Sequence, residues 1–270
     1  MMRNSGRVLD KADAERARLL EQCELHRMEA ELLFDRIGVD VGWRALDLGC
    51  GPPGVLDILA ERVGTAGSVV GLDRERRVLE LAAPSLAGQC LCNVELVPGE
   101  ATATGLPGAS FDLVHERLML VDLPRPEDVV AEMVRLTRPG GYVALQDMDV
   151  ISWTCEPAHP AWNLLQGALV AGLAGDPHIG RRLPALLRSA GLADIEVDVH
   201  AGLSQPGEPA HALLLRCATT NRHRILAAEE LGESELDGYL RELEEHLARP
   251  DTIVLGWTLF QAWGRKPLTA

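Results

Sequence analysis

The segment ALDLGCGPPGVL, residues 45–56, constrains the fold of this chain more than any other feature of its sequence. An apolar run typical of a buried strand is followed by Gly49, Gly51 and Gly54, at a spacing typical of a turn that leads into a helix. The spacing G-x-G-x-x-G is also the dinucleotide-binding fingerprint, and Asp73 lies about 20 residues further on, where a ribose-binding acid is expected. An NAD-dependent oxidoreductase is therefore the first hypothesis to test.

Two prolines in this turn argue against a dinucleotide. The pyrophosphate of a dinucleotide is held by backbone N–H groups at the N-terminus of the following helix. Pro52 and Pro53 have no N–H, so two donors are missing where the phosphates would lie. The chain also has no Tyr-x-x-x-Lys pair, since its only tyrosines are Tyr142 and Tyr239. A cofactor without phosphate fits this turn better, and the oxidoreductase stays open as the less favoured alternative.

Composition narrows the class of partner. The 270 residues are 47% hydrophobic, which is ordinary for a globular protein with a sizeable core. The formal net charge of −14 argues against a nucleic-acid partner, because such proteins neutralise phosphates with basic patches. No segment approaches the roughly 20 uninterrupted apolar residues of a membrane span, and residues 1–7 lack the apolar run of a secretory signal. We expect a cytoplasmic protein with neither a membrane nor a nucleic-acid partner.

Cysteine usage gives no sign of a metal centre. The six cysteines are scattered, with no C-x-x-C pair and no histidine at metal-ligand spacing beside them. Cys90 and Cys92 form a C-x-C pair, but two ligands without nearby partners do not make a metal site. We therefore expect reduced, partly buried thiols and no bound metal.

Predicted strands and helices alternate over the first half of the chain. This alternation favours an α/β fold in which helices cover both faces of a mostly parallel sheet. Ligands of such sheets bind beyond the carboxyl ends of the strands. An amphipathic stretch without proline or glycine, residues 10–36, comes first and predicts an N-terminal helix. The strands are predicted at 43–48, 68–72, 94–97, 111–115 and 142–146, and the helices between them at 53–62, 75–87 and 126–137.

The pattern is looser beyond residue 150. Helices are predicted at 160–173, 179–190, 209–230 and 234–247, and strands at 195–200 and 252–263. Two helical insertions, at about 151–178 and 204–250, do not extend the sheet, and we expect them to form a cap over its ligand edge. The chain is thus divided into a helical extension, residues 1–42, and one domain, residues 43–270.

Five short motifs follow one another near the ends of the predicted strands. They are LDLGCGP at 46–52, VGLD at 70–73, PGEA at 98–101, SFDLV at 110–114 and RPGG at 138–141. Together they resemble the ordered motifs of class I methyltransferases that use S-adenosylmethionine. The resemblance implies a Rossmann-like sheet of seven strands, the last of them antiparallel. Among these enzymes the chain is most similar to those that act on small molecules, such as quinone and natural-product methyltransferases.

The resemblance also implies a set of cofactor contacts. In that family the first motif approaches the methionine part of the cofactor, the acid after the second strand binds the ribose hydroxyls, and the segment after the third strand contacts adenine. Glycines suit a close backbone approach, and a carboxylate suits two vicinal hydroxyls. The chain departs from the family pattern at Pro53, where a third glycine is common, and at Glu100, where Asp is commoner. The implied contacts in this chain are Asp47, Gly49, Cys50, Gly51, Asp73, Arg74, Gly99, Glu100, Ala101 and His115.

Two side chains are candidates for acid–base chemistry. Methyl transfer from a sulfonium is an in-line displacement, so the protein mainly aligns donor and acceptor, although a hydroxyl or amine acceptor also needs a base. His115 lies at the predicted end of the fourth strand, and histidine titrates near neutrality. The alternative is that His115 packs against the cofactor or hydrogen-bonds to a neighbour. Asp147 and Asp149 follow the fifth strand, where we expect them to point in opposite directions, and Asp149 is the second catalytic candidate.

The predicted cap holds an unusual share of the aromatic residues. Trp153, His159, Trp162 and His178 could line an acceptor pocket, although a tryptophan on an apolar helix is more often part of a core. The apolar residues 212–215 could pair with a second copy of the chain, which would make a homodimer.

Three functions stay open after the sequence. The favoured one is transfer of a methyl group from S-adenosylmethionine to a small-molecule substrate, with an oxygen nucleophile preferred because His115 offers a base. The second is an enzyme of the same fold that binds the cofactor without methylating and promotes rearrangement, elimination or cyclisation of a natural product. The third is the NAD-dependent oxidoreductase. Asp73 also has a structural alternative, since it could merely cap the helix predicted from residue 75.

Overall fold

A computed structural model describes residues 24–52, 54–89, 91–228 and 231–268 of the chain. Pro53 and Cys90 lie outside the described residues, and so does the first part of the helix predicted over 10–36. Within the described part this region contains helix α1, Arg27–Ile37. Helix α1 ends at Gly38, whose φ of 74° lies in the left-handed region that favours glycine.

Most strands belong to one central sheet. The described strands, in chain order, are β1 Arg44–Leu48, β2 Ser68–Asp73, β3 Val94–Pro98, β4 Phe111–Arg117, β5 Thr137–Asp149, β6 Thr154–Glu156, β7 Ala193–His200, β8 Leu203–Ser204, β9 Ile253–Leu255 and β10 Thr258–Arg265. The central sheet has the order β3-β2-β1-β4-β5-β10-β7, and β6, β9 and β8 form a small second sheet. Strand β10 is antiparallel to both of its neighbours, while the pairs from β3 to β5 are parallel. The predicted seven-stranded, mostly parallel sheet is confirmed.

Helices cover both faces of the central sheet. The remaining described helices are α2 Leu56–Val63, α3 Arg76–Gly88, α4 Pro126–Leu136, α5 Pro160–Ala171, α6 Ile179–Ser189, α7 Leu213–Thr220, α8 Arg222–Ala228 and α9 Glu233–Leu247. Because side chains alternate along a strand, Ala45 of β1 packs with α1, α2 and α3 on one face, whereas Leu46 and Leu48 lie in the cluster with α4 and α6. None of the described helices is long and apolar enough to cross a membrane.

Two predicted elements are each divided in the structure. The strand predicted over 252–263 is two strands, β9 in the small sheet and β10 in the central one, and between them Gly256 donates its N–H to the carbonyl of Gly202 at 2.8 Å. The helix predicted over 209–230 is a 3₁₀ turn followed by α7 and α8. These helices are divided at Asn221, whose backbone N–H and side-chain amide both donate to the carbonyl of Cys217, at 3.0 and 2.9 Å.

A third apolar cluster joins the small sheet to α5, α7, α8 and α9. The chain leaves the central sheet after β5, returns to it for β7, leaves again after His200 and returns at the start of β10, where Asp149 and Thr258 lie opposite each other. Both points are at the carboxyl edge of the parallel strands, so this second unit is joined to the sheet at its ligand edge. Its small sheet includes residues just outside the predicted insertions 151–178 and 204–250. The division into an extension, a domain and insertions stays a proposal.

The residues that were expected to contact a second copy of the chain instead pack within the chain itself. Leu213 and Leu214 are buried in the third cluster, 3% and 0% exposed, and Leu215 packs against it. Their burial against α5 and α9 explains the apolar character of residues 212–215, so the observation that suggested a homodimer no longer supports one.

Candidate functional site

The glycine turn after β1 is tied to the end of β2. Gly49 and Gly51 have φ values of 66° and 61°, in the left-handed region where glycine is favoured. The N–H groups of Gly49 and Cys50 both donate to the carbonyl of Leu72, at 2.7 and 3.1 Å. A Cβ atom on Gly49 would lie 2.7 Å from the sulfur of Met119, so only glycine lets Met119 pack this closely, whereas a Cβ atom on Gly51 would meet nothing within 4 Å. This is a turn into which a ligand can come close to the main chain.

Asp73 lies between this turn and the segment after β3. One oxygen of its carboxyl accepts from the N–H of Gly51 at 3.3 Å, and the other accepts from the N–H of Glu75 at 2.9 Å. Its carbonyl accepts from the N–H of Gly99 at 3.0 Å. The N-cap of α3 is Glu75, so Asp73 shapes the turn before the helix and does not occupy the cap position. Asp73 is half-buried and Arg74 beside it is exposed.

The segment after β3 is the third segment of the candidate site, beside the glycine turn and Asp73. Gly99 and Ala101 are half-buried and Glu100 is exposed, and Glu100 forms an isolated bridge with Ala103. The backbone hydrogen bonds from Gly49 to Leu72 and from Gly99 to Asp73 place the glycine turn, Asp73 and this segment side by side along the carboxyl edge. The structure thus brings together the three segments implied as cofactor contacts.

A charged pair on α4 anchors the loop that follows Ala101. Glu132 accepts from the N–H and the hydroxyl of Thr104, at 3.0 and 2.6 Å. Arg135 donates to Glu132 at 2.6 Å and to the carbonyl of Leu106 at 2.9 Å. The guanidinium and the threonine hydrogen bonds lower the pKa of Glu132 to about 2, so the carboxylate is charged at neutral pH.

His115 is fully buried and both of its ring nitrogens are used. Nδ1 lies 2.7 Å from Oδ1 of Asp47, and Nε2 lies 2.8 Å from the side-chain amide of Gln146. Since the Asp47 carboxylate only accepts, Nδ1 donates the proton of that bond. No nitrogen remains to take a proton from an acceptor, so the structure does not support His115 as a catalytic base and favours the alternative of a hydrogen-bonded structural histidine. Its contact with Asp47 links it to the glycine turn indirectly.

Asp149 is also occupied by protein partners. It is 2% exposed, and its two oxygens pair with His178 at 2.9 Å and with Arg181 of α6. The expectation that it acts on an acceptor is not supported, because both oxygens serve to fasten α6 to the end of β5. Asp147 is buried as well. The expectation that Asp147 and Asp149 point in opposite directions was wrong, because side chains two residues apart in a strand lie on the same face of the sheet.

The aromatic residues of the second unit form a core. Trp153, Trp162 and Trp257 are all under 10% exposed, and Trp153 meets the other two edge to face, with ring centroids 5.5 and 4.8 Å apart. His159 stacks on His246 instead of facing an open pocket. The hypothesis of an acceptor pocket lined by these side chains is therefore not supported, and the core interpretation fits better.

The contacts of several polar residues near the site were not predicted from the sequence. Arg117 at the end of β4 donates to the carbonyls of His26 and Gly54, at 3.1 and 3.3 Å, and so ties α1 to the glycine turn. Gln146, Glu116 and Asp147 are fully buried on β4 and β5. The available signal was the presence of polar residues at positions of a strand that is covered by helices on both faces.

Comparison with known proteins gives a consistent result. A family model described as a methyltransferase domain matches residues 40–180. The demethylmenaquinone methyltransferase of Geobacillus kaustophilus is 37% identical over 116 residues, which cover 43% of this chain and 50% of the relative. The chain spans about half the length of the curated relatives it matches.

Solved structures share the fold. A SAM-dependent methyltransferase from Aquifex aeolicus has a TM-score of 0.52 at 21% identity, over 73% of this chain and 93% of that one. The [4+2]-cyclase SpnF has a TM-score of 0.54 at 19% identity, over 98% of this chain and 86% of that one. At these identities the similarity concerns architecture, and architecture alone does not select a reaction.

Proposed function

This chain belongs to the methyltransferase domain family of class I, S-adenosylmethionine-dependent enzymes, and on that premise we propose that it transfers a methyl group from S-adenosylmethionine to a small-molecule acceptor. The observation that carries the proposal is the row of three segments at the carboxyl edge of the sheet. There Gly51 donates its N–H to the Asp73 carboxyl and Gly99 donates its N–H to the Asp73 carbonyl, which places the three segments in the order in which methionine, ribose and adenine are expected.

The residues of this edge fit the cofactor chemically. A Cβ atom on Gly51 would meet nothing within 4 Å, so the backbone of the turn can approach the methionine part closely there. The half-buried carboxyl of Asp73 already accepts from two backbone N–H groups, and its remaining lone pairs suit the vicinal hydroxyls of a ribose. Pro52 removes an N–H donor that a pyrophosphate would need, which disfavours NAD at the same edge.

The chemistry that the bound cofactor supplies is an activated methyl group on a sulfonium. The protein's part is to hold the acceptor in line with that methyl group and to exclude water. The acceptor would approach from the side of the second unit, which joins the sheet at the same edge. The preference for an oxygen acceptor rested on His115 as a base. Because its ring is buried and hydrogen-bonded at both nitrogens, that preference loses its support, and the atom of the acceptor that receives the methyl group is left open.

The similarity to demethylmenaquinone methyltransferase suggests which acceptors to try first. It covers 43% of this chain, so acceptors of the quinone type are a starting set and not a conclusion. We would incubate the protein with S-adenosylmethionine labelled in its methyl group and a panel of quinols and phenolic natural products. Transfer of label to an acceptor, with equal formation of S-adenosylhomocysteine, is the expected result. Conversion of an acceptor without label transfer would instead indicate the non-methylating alternative.

A further inference from the structure

The turn that follows β4 lies against the glycine turn. Leu118 has a φ of 58°, a left-handed conformation that is uncommon for leucine and costs energy, and its N–H donates to the carbonyl of Gln146 at 2.8 Å. The next residue, Met119, places its sulfur 2.7 Å from the point that a Cβ atom on Gly49 would take. The position of Met119 therefore sets how much room remains over Gly49.

Two buried carboxyl groups hold this turn by its backbone. Oε2 of Glu116 accepts from the N–H of Met119 at 3.4 Å. Oδ2 of Asp147 accepts from the N–H of Val121 at 3.0 Å, and Oδ1 accepts from the N–H of Met148 at 2.8 Å. Both side chains are fully buried, and Oε1 of Glu116 is left without a partner among the described residues. A strained turn is thus fastened at both ends by acids that reach it from neighbouring strands.

The charges around these acids are mostly of one sign. Burial and the nearby Asp147 raise the pKa of Glu116 well above its usual range, and Asp47 on β1 acts in the same direction. Burial, together with Asp122 at the end of the turn, raises the pKa of Asp147 to about 7 despite its backbone hydrogen bonds. On the side of α6, the basic groups His178 and Arg181 are paired with Asp149.

We propose that Glu116 and Asp147 are positioning residues for the methyl-donor site, which hold Met119 against Gly49 in the glycine turn. This inference rests on the proposed function. Protonation of a carboxylate reduces its capacity to accept hydrogen bonds. The ionised carboxylate of Asp147 accepts hydrogen bonds from the N–H groups of Val121 and Met148, one with each oxygen. Ionisation of Asp147 therefore tightens the turn, and binding at the turn favours the ionised form.

The direction of the pH effect follows from this coupling. Cofactor affinity increases as the pH rises through about 7, and binding near neutral pH releases a proton. The free energy of unfolding of the free protein changes with pH in the opposite direction. Because the pKa of Asp147 is higher in the folded chain than the ordinary aspartate value of 3.8, the contribution of this group to stability falls as the pH rises from about 4 to about 7.

The test is calorimetric titration of the full chain with S-adenosylhomocysteine at about pH 6 and about pH 8. We expect affinity to rise about three- to tenfold in the wild type, from the change of a charged hydrogen bond. The rise should be absent in Asp147→Asn and preserved in Asp198→Asn, a matched change on β7 away from the site. Glu116→Ala, which removes the acceptor of the Met119 N–H, should weaken binding at both pH values, and unchanged binding would overturn the role of Glu116.

A second readout needs no variant, in case Asp147→Asn does not fold. Titration of the wild type near pH 7 in two buffers of different ionisation enthalpy measures protons released on binding. Release of a fraction of a proton supports the inference, and no release overturns it. A pH profile in Asp147→Asn that matches the wild type also overturns it. Failure of the wild type to bind at either pH would count against the proposed function itself, so the two failures are distinguishable.

Discussion

At the scale of single residues, the candidate site depends on groups whose neighbours decide their role. His115 looked like a base from its position at a strand end, but β1 and β5 each bring a polar partner to it, Asp47 and Gln146. The sequence predicts the position of His115 at the carboxyl edge, since that follows from the strand pattern. It does not predict the role, because the partners come from strands about 30 and about 70 residues away and their pairing depends on the register of the sheet.

His115→Gln tests the structural role of this histidine. Loss of the buried hydrogen bond to Asp47 should lower the free energy of unfolding by about 1–3 kcal/mol, measured by urea denaturation. His223→Gln, on the exposed surface of α8, is the matched control and should change stability little. A variant of unchanged stability whose methyl transfer is lost at neutral pH and recovers at high pH would instead identify His115 as the base.

Gly49→Ala tests the packing of Met119 against the glycine turn. Gly49→Ala places a methyl group against the sulfur of Met119 and should weaken S-adenosylhomocysteine binding more than tenfold, which corresponds to about 1.4 kcal/mol. Gly38→Ala is the matched control, because its φ of 74° carries the same backbone cost of roughly 1–2 kcal/mol without any atom nearby. Both variants should melt earlier, but only the first should lose affinity. Equal affinities for the ligand would show that the packing of Met119 against Gly49 does not affect binding.

At the scale of elements, the alternation of strands and helices was enough to predict the sheet, while divided elements were missed. The apolar run 252–263 carries one glycine, and nothing local indicates that Gly256 hydrogen-bonds to Gly202 and separates two sheets. The glycine turn and Asp73 were predicted because each belongs to a strand end with its own signal. Met119, in contrast, acts through its contact with Gly49, about 70 residues away in the chain.

Helix α4 should stabilise the loop after β3 through Glu132. The pKa of Glu132 is lowered to about 2, so its contribution to stability is present above the ordinary glutamate value of 4.5 and is lost as the pH falls toward about 2. Glu132→Gln should therefore lower the free energy of unfolding by about 1–3 kcal/mol at pH near 7, and by less near pH 3. Glu127→Gln, on the exposed side of the same helix, should have an effect within about 0.5 kcal/mol. A deficit of Glu132→Gln that grows as the pH falls would contradict the assignment.

At the scale of the whole molecule, two units meet at one edge. The central sheet supplies the three segments expected to hold the cofactor, and the second unit, with its own apolar core, joins the sheet beside them at Asp149 and Thr258. The sequence predicts the first unit well because its motifs are local. It predicts the second poorly, because helices with buried tryptophans have the same composition whether they line a pocket or form a core.

The most direct measurement is calorimetric titration of the wild type and Asp73→Ala with S-adenosylhomocysteine, S-adenosylmethionine and NAD. The wild type should bind both adenosyl ligands and not NAD. Asp73→Ala should bind them roughly ten- to a hundredfold more weakly, as expected for loss of a charged hydrogen-bond partner worth about 1.5–3 kcal/mol, while Glu245→Ala on the exposed surface of α9 should bind like the wild type. Binding of NAD, or adenosyl binding that Asp73→Ala leaves unchanged, would contradict the assignment of this edge as the methyl-donor site.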